Sequence, residues 1–189
     1  MKLDQLVKIV SGGQTGVDRA GLDAAIALGI DHGGWCPRGR RAEDGRIPDS
    51  YQLKETPQRD YSVRTEQNVV ESDGTLILYR RRLSGGTALT FRLAQKHNRP
   101  CCRIDLEESG YFSVKDGESE LTELDLRQHS FWEFGAEDSR QLAGQTFLQW
   151  LTDHQIGVLN VAGPRESSAP GIAGQAKDFI FRTLRSSNQ

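Results

Sequence analysis

The sequence predicts an α/β protein: a doubly wound, mostly parallel sheet with helices on both faces. Short apolar runs of strand length alternate with segments of helical periodicity along most of the chain. Strand-helix-strand order implies parallel pairing, because parallel strands need crossover connections that cover the sheet. Glycine loops and grouped arginines gather where those strands end, at the edge where open α/β sheets bind ligands.

The first unit is the clearest. Leu6-Val7-Lys8-Ile9-Val10 is short and rich in β-branched residues, and it stops at Ser11-Gly12-Gly13. Val17, Ala20, Gly21, Ala24, Ala25 and Leu28 then fall at i, i+3, i+4, i+7, i+8 and i+11, one face of an amphipathic helix. Gly29 stands where a helix-ending glycine belongs. A second strand is expected over Asp31 to Cys36, followed by a charged, Gly- and Pro-containing loop from Pro37 to Ser50. A helix from about Asp60 to Ser72 leads to the strand Gly74 to Tyr79. Gly85-Gly86-Thr87 opens another helix that runs to His97, and Pro100 to Leu106 is the next strand. A helix from about Glu137 to His154 has Leu142, Phe147, Leu148 and Leu151 as core candidates. Gln155 to Val161 is the last strand and Gly171 to Leu184 the closing helix.

The 189 residues are expected to form a single domain, 1–189, large enough for a core without disulfide or metal. Residues 106–136 break the pattern and are left open as an insertion, a lid or an oligomer arm, since loops this long are uncommon in compact domains. A net charge of −2 argues against general nucleic-acid binding. No apolar run reaches the roughly 20 residues a membrane span needs, and Met1 to Leu6 lack the features of a signal peptide. Cys36, Cys101 and Cys102 are odd in number with two adjacent, a poor disulfide framework that fits a reducing cytoplasm.

The candidate binding residues follow the strands. Ser11, Gly12, Gly13, Gln14, Thr15 and Gly16 form a glycine loop before a helix, whose free N–H groups and positive dipole end suit an anion. The loop is neither a Walker A sequence nor a G-x-G-x-x-G, and a plain tight turn is its alternative reading. Gly85, Gly86 and Thr87 repeat the device, so two helix N-termini are expected to point at one crevice. Arg38, Arg40 and Arg41 could clamp phosphate, or form only a solvated charged loop with Glu43, Asp44 and Asp49. Arg165 follows Gly163 and Pro164 directly after a strand, with Glu166 and Ser167 beside it. Arg64 and Asn68 lie four apart on one helix face. Asp18 reads as serving the helix dipole, and Cys36 as a buried structural thiol. The four histidines have no ligand spacing, and no metal site is expected.

These loops resemble those of the family named for molybdenum carriers. That family is a branch of the Rossmann-like superfamily that includes the lysine-decarboxylase-like (LOG) cytokinin-activating proteins. The resemblance rests on S-G-G-Q-T-G-V-D-R-A at 11–20, G-W-C-P-R-G-R-R-A-E-D-G at 34–45 and R-T-E-Q-N-V at 64–69. It continues through S-D-G-T-L-I at 72–77, G-G-T at 85–87, L-N-V-A-G-P-R-E-S at 159–167 and P-G-I at 170–172. It implies a Rossmann-like fold, a homo-oligomer (dimer or tetramer) and a site for molybdenum cofactor (molybdopterin) or a related nucleotide-type ligand, with Trp35 stacking on a ring. The cytokinin-activating relatives carry P-G-G-x-G-T-x-x-E; here the position of the Glu is Thr90, which puts their hydrolysis in doubt.

The expected function is therefore a carrier or storage protein that binds a phosphate-bearing cofactor. Two alternatives stand beside it. One is a nucleotide-processing hydrolase or transferase, phosphoribohydrolase-like, with Glu66, Asp73 and Glu166 as candidate acids or bases. The other is a nucleotide sensor with residues 107–135 as the partner contact.

Overall fold

The computed structural model describes residues 5–106, 114–116 and 136–186. Strands β1 (Lys8–Val10), β2 (Asp31–Gly33), β7 (Gly74–Tyr79), β8 (Cys101–Asp105), β9 (Val114–Asp116) and β10 (Val158–Ala162) form one sheet in the order β2-β1-β10-β7-β8-β9. Its first five strands are parallel, and β9 joins the β8 edge antiparallel. Two small sheets stand apart: β3 (Trp35–Cys36) with β6 (Lys54–Glu55), and the hairpin β4 (Arg41–Ala42) with β5 (Gly45–Arg46). The helices are α1 (Val17–Leu28), α2 (Tyr61–Val70), α3 (Gly85–Lys96), α4 (Ala136–Asp153) and α5 (Ile172–Ser186).

Alternation along β7 shows how the layers form. Leu76 and Leu78 pack with Val17 and Ala24 of α1, Phe147 and Leu151 of α4, and Ile180 of α5. Ile77 and Tyr79 turn the other way, onto Val69 of α2 and Leu93 and Ala94 of α3. Successive strand side chains point to opposite faces, so a strand covered on both sides is buried at every position, as all of β7 is. The small residues of α1 let that helix lie close: an added Cβ at Gly21 would meet the Val161 side chain at 2.8 Å. Among the α4 core candidates, Phe147 and Leu151 are fully buried and Leu148 packs partly buried against the same core. Leu142 instead faces outward, 51% exposed.

The run 31–36 divides into two strands of different sheets. At Gly34 (φ +119) the backbone crosses Ser11 so closely that a Cβ would lie 2.4 Å from its carbonyl oxygen, and the chain leaves the main sheet there. Of the irregular stretch 106–136, only its two ends and β9 fall within the described residues, and the expectations of a lid or an arm lie outside them. Among the described residues no helix is long and apolar enough to cross a membrane.

Candidate functional site

From β1 the chain moves outward through α1 to β2; from β7 it moves the opposite way through α3 to β8, with β10 between them. The carboxyl ends of β1, β10 and β7 thus surround a topological switch point, where loops diverge and leave a crevice. A cleft of about 400 Å³ lies there, lined by Gly12, Gln14 and Asp18, by Tyr61, Arg64, Thr65 and Asn68 of α2, and by Ser84 to Thr87 at the start of α3. Leu89, Thr90, Asn160 to Arg165, Ser168 and the hairpin residue Glu43 complete the wall.

The side-chain charges of this cleft are paired. Arg64 Nη1 donates to Asp18 Oδ2 at 2.8 Å, with the two side chains only 14% and 5% exposed. Burial pushes the Asp18 carboxyl above its ordinary range, while the Arg64 charge and hydrogen bond draw it back down. The guanidinium lies directly on Gly12, where an added Cβ would sit 1.4 Å from Nη1, so the close approach needs glycine. Glu43 is held by Arg165 Nε at 3.3 Å, by the Ser167 N–H at 3.1 Å, and by the hydroxyls of Thr15 and Ser167. Burial raises its carboxyl, but these hydrogen bonds and the Arg165 charge outweigh burial and hold it below the usual range.

The two helix starts differ. At α1 the chain fills its own anion site: Val17 N–H donates to Pro164 O (3.2 Å), Gln14 N–H to Asp18 (3.3 Å) and Thr15 N–H to Gln14 Oε1 (3.0 Å). At α3 the first N–H groups have no intrahelical acceptor, and Ser84 supplies no side-chain cap. The space above is open, since a Cβ at Gly85 or Gly86 would meet nothing within 4 Å. Thr87 beside them is 5% exposed and lines the cleft. The uncompensated positive field of the cleft is therefore that of α3.

The expected site residues fall into two groups. Gly12, Gln14, Arg64, Asn68, Gly85, Gly86, Thr87, Gly163 and Arg165 line the cleft. The others hold it up or stand elsewhere. Arg40 is buried outside the cleft lining and donates to the carbonyls of Ile47, Leu53, Pro48 and Tyr51, so it cages its own loop. Arg38 and Arg41 are exposed and outside the cleft lining. Trp35 is also outside it, its indole N–H on Glu71 at 2.8 Å and Lys54 over its ring at 5.6 Å. Asn68 clasps the Trp35 backbone with both amide atoms (2.8 and 2.9 Å). Ser11 is sealed, its Oγ without a partner, and Gly13 turns beneath Leu53. Thr15 and Ser167 hold Glu43, Gly16 lies against Pro164, and Glu166 accepts the N–H groups of Gly171 and Ala173 at the start of α5.

The acids expected for catalysis lie outside the cleft lining. Glu66 binds Lys96 and His97, Asp73 accepts the N–H groups of Gly157 and Val158, and Glu166 serves α5. The carboxylates of the cleft are Asp18 and Glu43. Several lining residues had a legible signal. Tyr61 and Thr65 share the face of Arg64 and Asn68 at helical spacing, and Asn160 interrupts an otherwise apolar strand. Asn160 is 2% exposed and donates to Thr75 Oγ1 at 3.2 Å.

The topology carries a further mark. If the β10–α5 segment stood ahead of β1, the five parallel strands would run 3-2-1-4-5, the order of the dinucleotide-binding fold. The last parallel strand in sequence holds the central place of the first. Residues 9–184 match the family described as "Circularly permutated YpsA SLOG family". The chain belongs to the circularly permutated YpsA SLOG family. A crystal structure named "Putative molybdenum carrier protein", from Syntrophus aciditrophicus SB, is 41% identical over 95% of each chain, with a TM-score of 0.75. No curated protein gives a significant match. The Rossmann-like architecture is common to this YpsA SLOG member and that relative, and the relative ties it to the family named for molybdenum carriers.

Proposed function

We propose that this YpsA SLOG protein binds a phosphate-bearing small molecule in the cleft, with the phosphate on the N-terminus of α3, and serves as a carrier for molybdenum cofactor. The observation that carries the reading is the open, uncapped helix start at Gly85-Gly86, with the hydroxyl-bearing Thr87 beside it in the cleft wall. The other cleft charges are already paired within the chain, so a ligand anion would meet this end of the molecule first. The volume of about 400 Å³ lies in the range of small-molecule sites. Tyr61, 43% exposed on the wall, offers a face for a flat ring in the role first expected of Trp35.

Molybdenum cofactor fits this arrangement at its phosphate and its pterin ring. The metal would travel on the cofactor's own dithiolene, so the protein need not ligate it. The name of the Syntrophus relative supports the same reading. The paired state of Asp18 and Glu43 favours holding over hydrolysis, and Thr90, where the cytokinin-activating relatives have Glu, gives its hydroxyl to Gly86 O at 3.0 Å.

Protein purified gently from its own host is expected to carry molybdenum and a pterin in near-stoichiometric amount, read by elemental analysis and by mass spectrometry of released small molecules. A nucleotide without molybdenum would move the assignment to a sensor or an enzyme, and a stripped, ligand-free protein with no affinity for either would end the carrier reading. Independently, Thr87→Val keeps the side-chain shape and removes the hydroxyl. Titration calorimetry should show phosphate-ligand binding weakened by about 1.5–3 kcal/mol, tenfold or more. Unchanged affinity would remove Thr87 from the site.

A further inference from the structure

Glu43 sits at the tip of a hairpin whose strands have two residues each, Arg41–Ala42 and Gly45–Arg46. A hairpin that short has no stability of its own, so its position is set by what its tip touches. Asp44 is tied to α1 by a bidentate pair with Arg19 (2.6 and 2.8 Å). The Glu43 N–H donates to Gln14 Oε1 at 2.9 Å. The Glu43 carboxylate reaches across to the loop after β10, where it accepts from Ser167 N–H, Ser167 Oγ and Thr15 Oγ, with Arg165 Nε at 3.3 Å. Donors from two separate loops thus converge on one carboxylate, and that carboxylate forms part of the cleft wall.

We propose that the donors of Thr15, Arg165 and Ser167 are a second anion subsite, filled in the free chain by Glu43 and taken over by the second anionic group of a ligand. The inference rests on the cleft being a phosphate site and adds the ligand class: a molecule that carries a second anionic group beside the phosphate seated at α3. Carboxylate and phosphate oxygens share the acceptor chemistry that charged N–H and O–H donors recognise. An arginine, a backbone N–H and hydroxyls that hold the one will accept the other. Displacing Glu43 also leaves Arg165 without its carboxylate partner, so the cleft gains positive charge as the hairpin tip withdraws. Because Glu43 is tethered, it competes at high effective concentration. A single phosphate seated at α3 does not need to displace it. A ligand anchored at α3 carries its second group to Ser167 intramolecularly and can.

The test is an amide-resolved NMR titration of the full chain with inorganic phosphate, pyrophosphate and tripolyphosphate, alongside calorimetry of wild type and Glu43→Gln. Phosphate is expected to shift Gly86 and Thr87 alone. At least one of the longer anions should also shift Ser167 and Glu43. Glu43→Gln should bind that anion about tenfold more tightly, and adding Ser167→Ala should remove the gain. Shifts confined to Gly86 and Thr87 with all three probes would overturn the second subsite and leave the phosphate reading standing. Shifts at Ser167 without Gly86 or Thr87 would do the reverse, and no shifts anywhere would sink both. If Glu43→Gln fails to fold, the wild-type titration still decides.

Discussion

Replacing Arg64 with methionine is expected to lower folding stability at neutral pH by about 3–5 kcal/mol, the usual result of removing one partner of a buried ion pair. The methionine roughly fills the space of the arginine stem but leaves the Asp18 carboxylate, 5% exposed, without its countercharge. The loss comes from that stranded charge more than from the value of the pair itself. Asp18→Asn combined with Arg64→Met should therefore recover a substantial part of the stability. Urea denaturation midpoints of the wild type and the two variants measure this directly. Equal stability of wild type and Arg64→Met would mean that the pair is solvated and that Asp18 is not buried as described.

The same variant has a pH signature whose sign is fixed. Burial already holds the folded-state pKa of Asp18 above its ordinary value, with Arg64 pulling against that rise. Removing Arg64 leaves burial unopposed, so the folded pKa climbs further. A carboxyl with a raised folded pKa binds its proton more tightly in the folded state. Its contribution is fully present below the unfolded pKa and is lost as pH rises through the folded one. The stability deficit of Arg64→Met should therefore shrink on acidification, as Asp18 becomes a neutral hydrogen-bonding acid. A deficit that grew toward low pH would contradict the assignment to Asp18.

Local signals account for much of the fold. The stripe from Val17 to Leu28, the apolar runs of β7 and β10 and the glycines after α1 and β10 depend on neighbours in sequence, and each element stands where those signals put it. The division at Gly34 was not legible, because it depends on Ser11 passing across the backbone, a contact between distant residues. Leu142 fits the helical stripe of α4 by residue type, yet the helix turns it outward. Within the cleft, Arg64 and Asn68 were visible from their spacing because one helix presents both. Arg40 and Trp35 were visible only as residue types suited to phosphate and ring binding. The carbonyls of Ile47, Pro48, Tyr51 and Leu53 claimed the arginine, and Glu71 the indole. Glu43 was the converse case. Beside three arginines it looks like charge compensation within its own loop, whereas its partners are Thr15, Arg165 and Ser167.

Gly16→Ala should be as damaging as the loss of Arg64, for a backbone reason. Gly16 has φ 77 and ψ −131, close to a region that is essentially glycine's alone, and a side chain there costs about 1–3 kcal/mol in strain. Its Cβ would also lie 2.3 Å from Pro164 O and 2.8 Å from Glu166 N, atoms of the main chain that cannot rotate aside. The loop after β10 must move, which breaks Val17 N–H to Pro164 O and Glu166 N–H to Thr15 Oγ and adds about 1–3 kcal/mol for each buried group left unsatisfied. Together these give roughly 3–9 kcal/mol from one methyl group. Gly174→Ala in α5 is the control, since its Cβ would meet nothing within 4 Å and helix propensity favours alanine by about 1 kcal/mol. Thermal denaturation should move in opposite directions for the two. Because the displaced loop carries Arg165 and Ser167 away from Glu43 while α3 keeps its place, Gly16→Ala should weaken pyrophosphate more than phosphate. Equal losses for both anions would mean that the loop and the α3 start move as one unit.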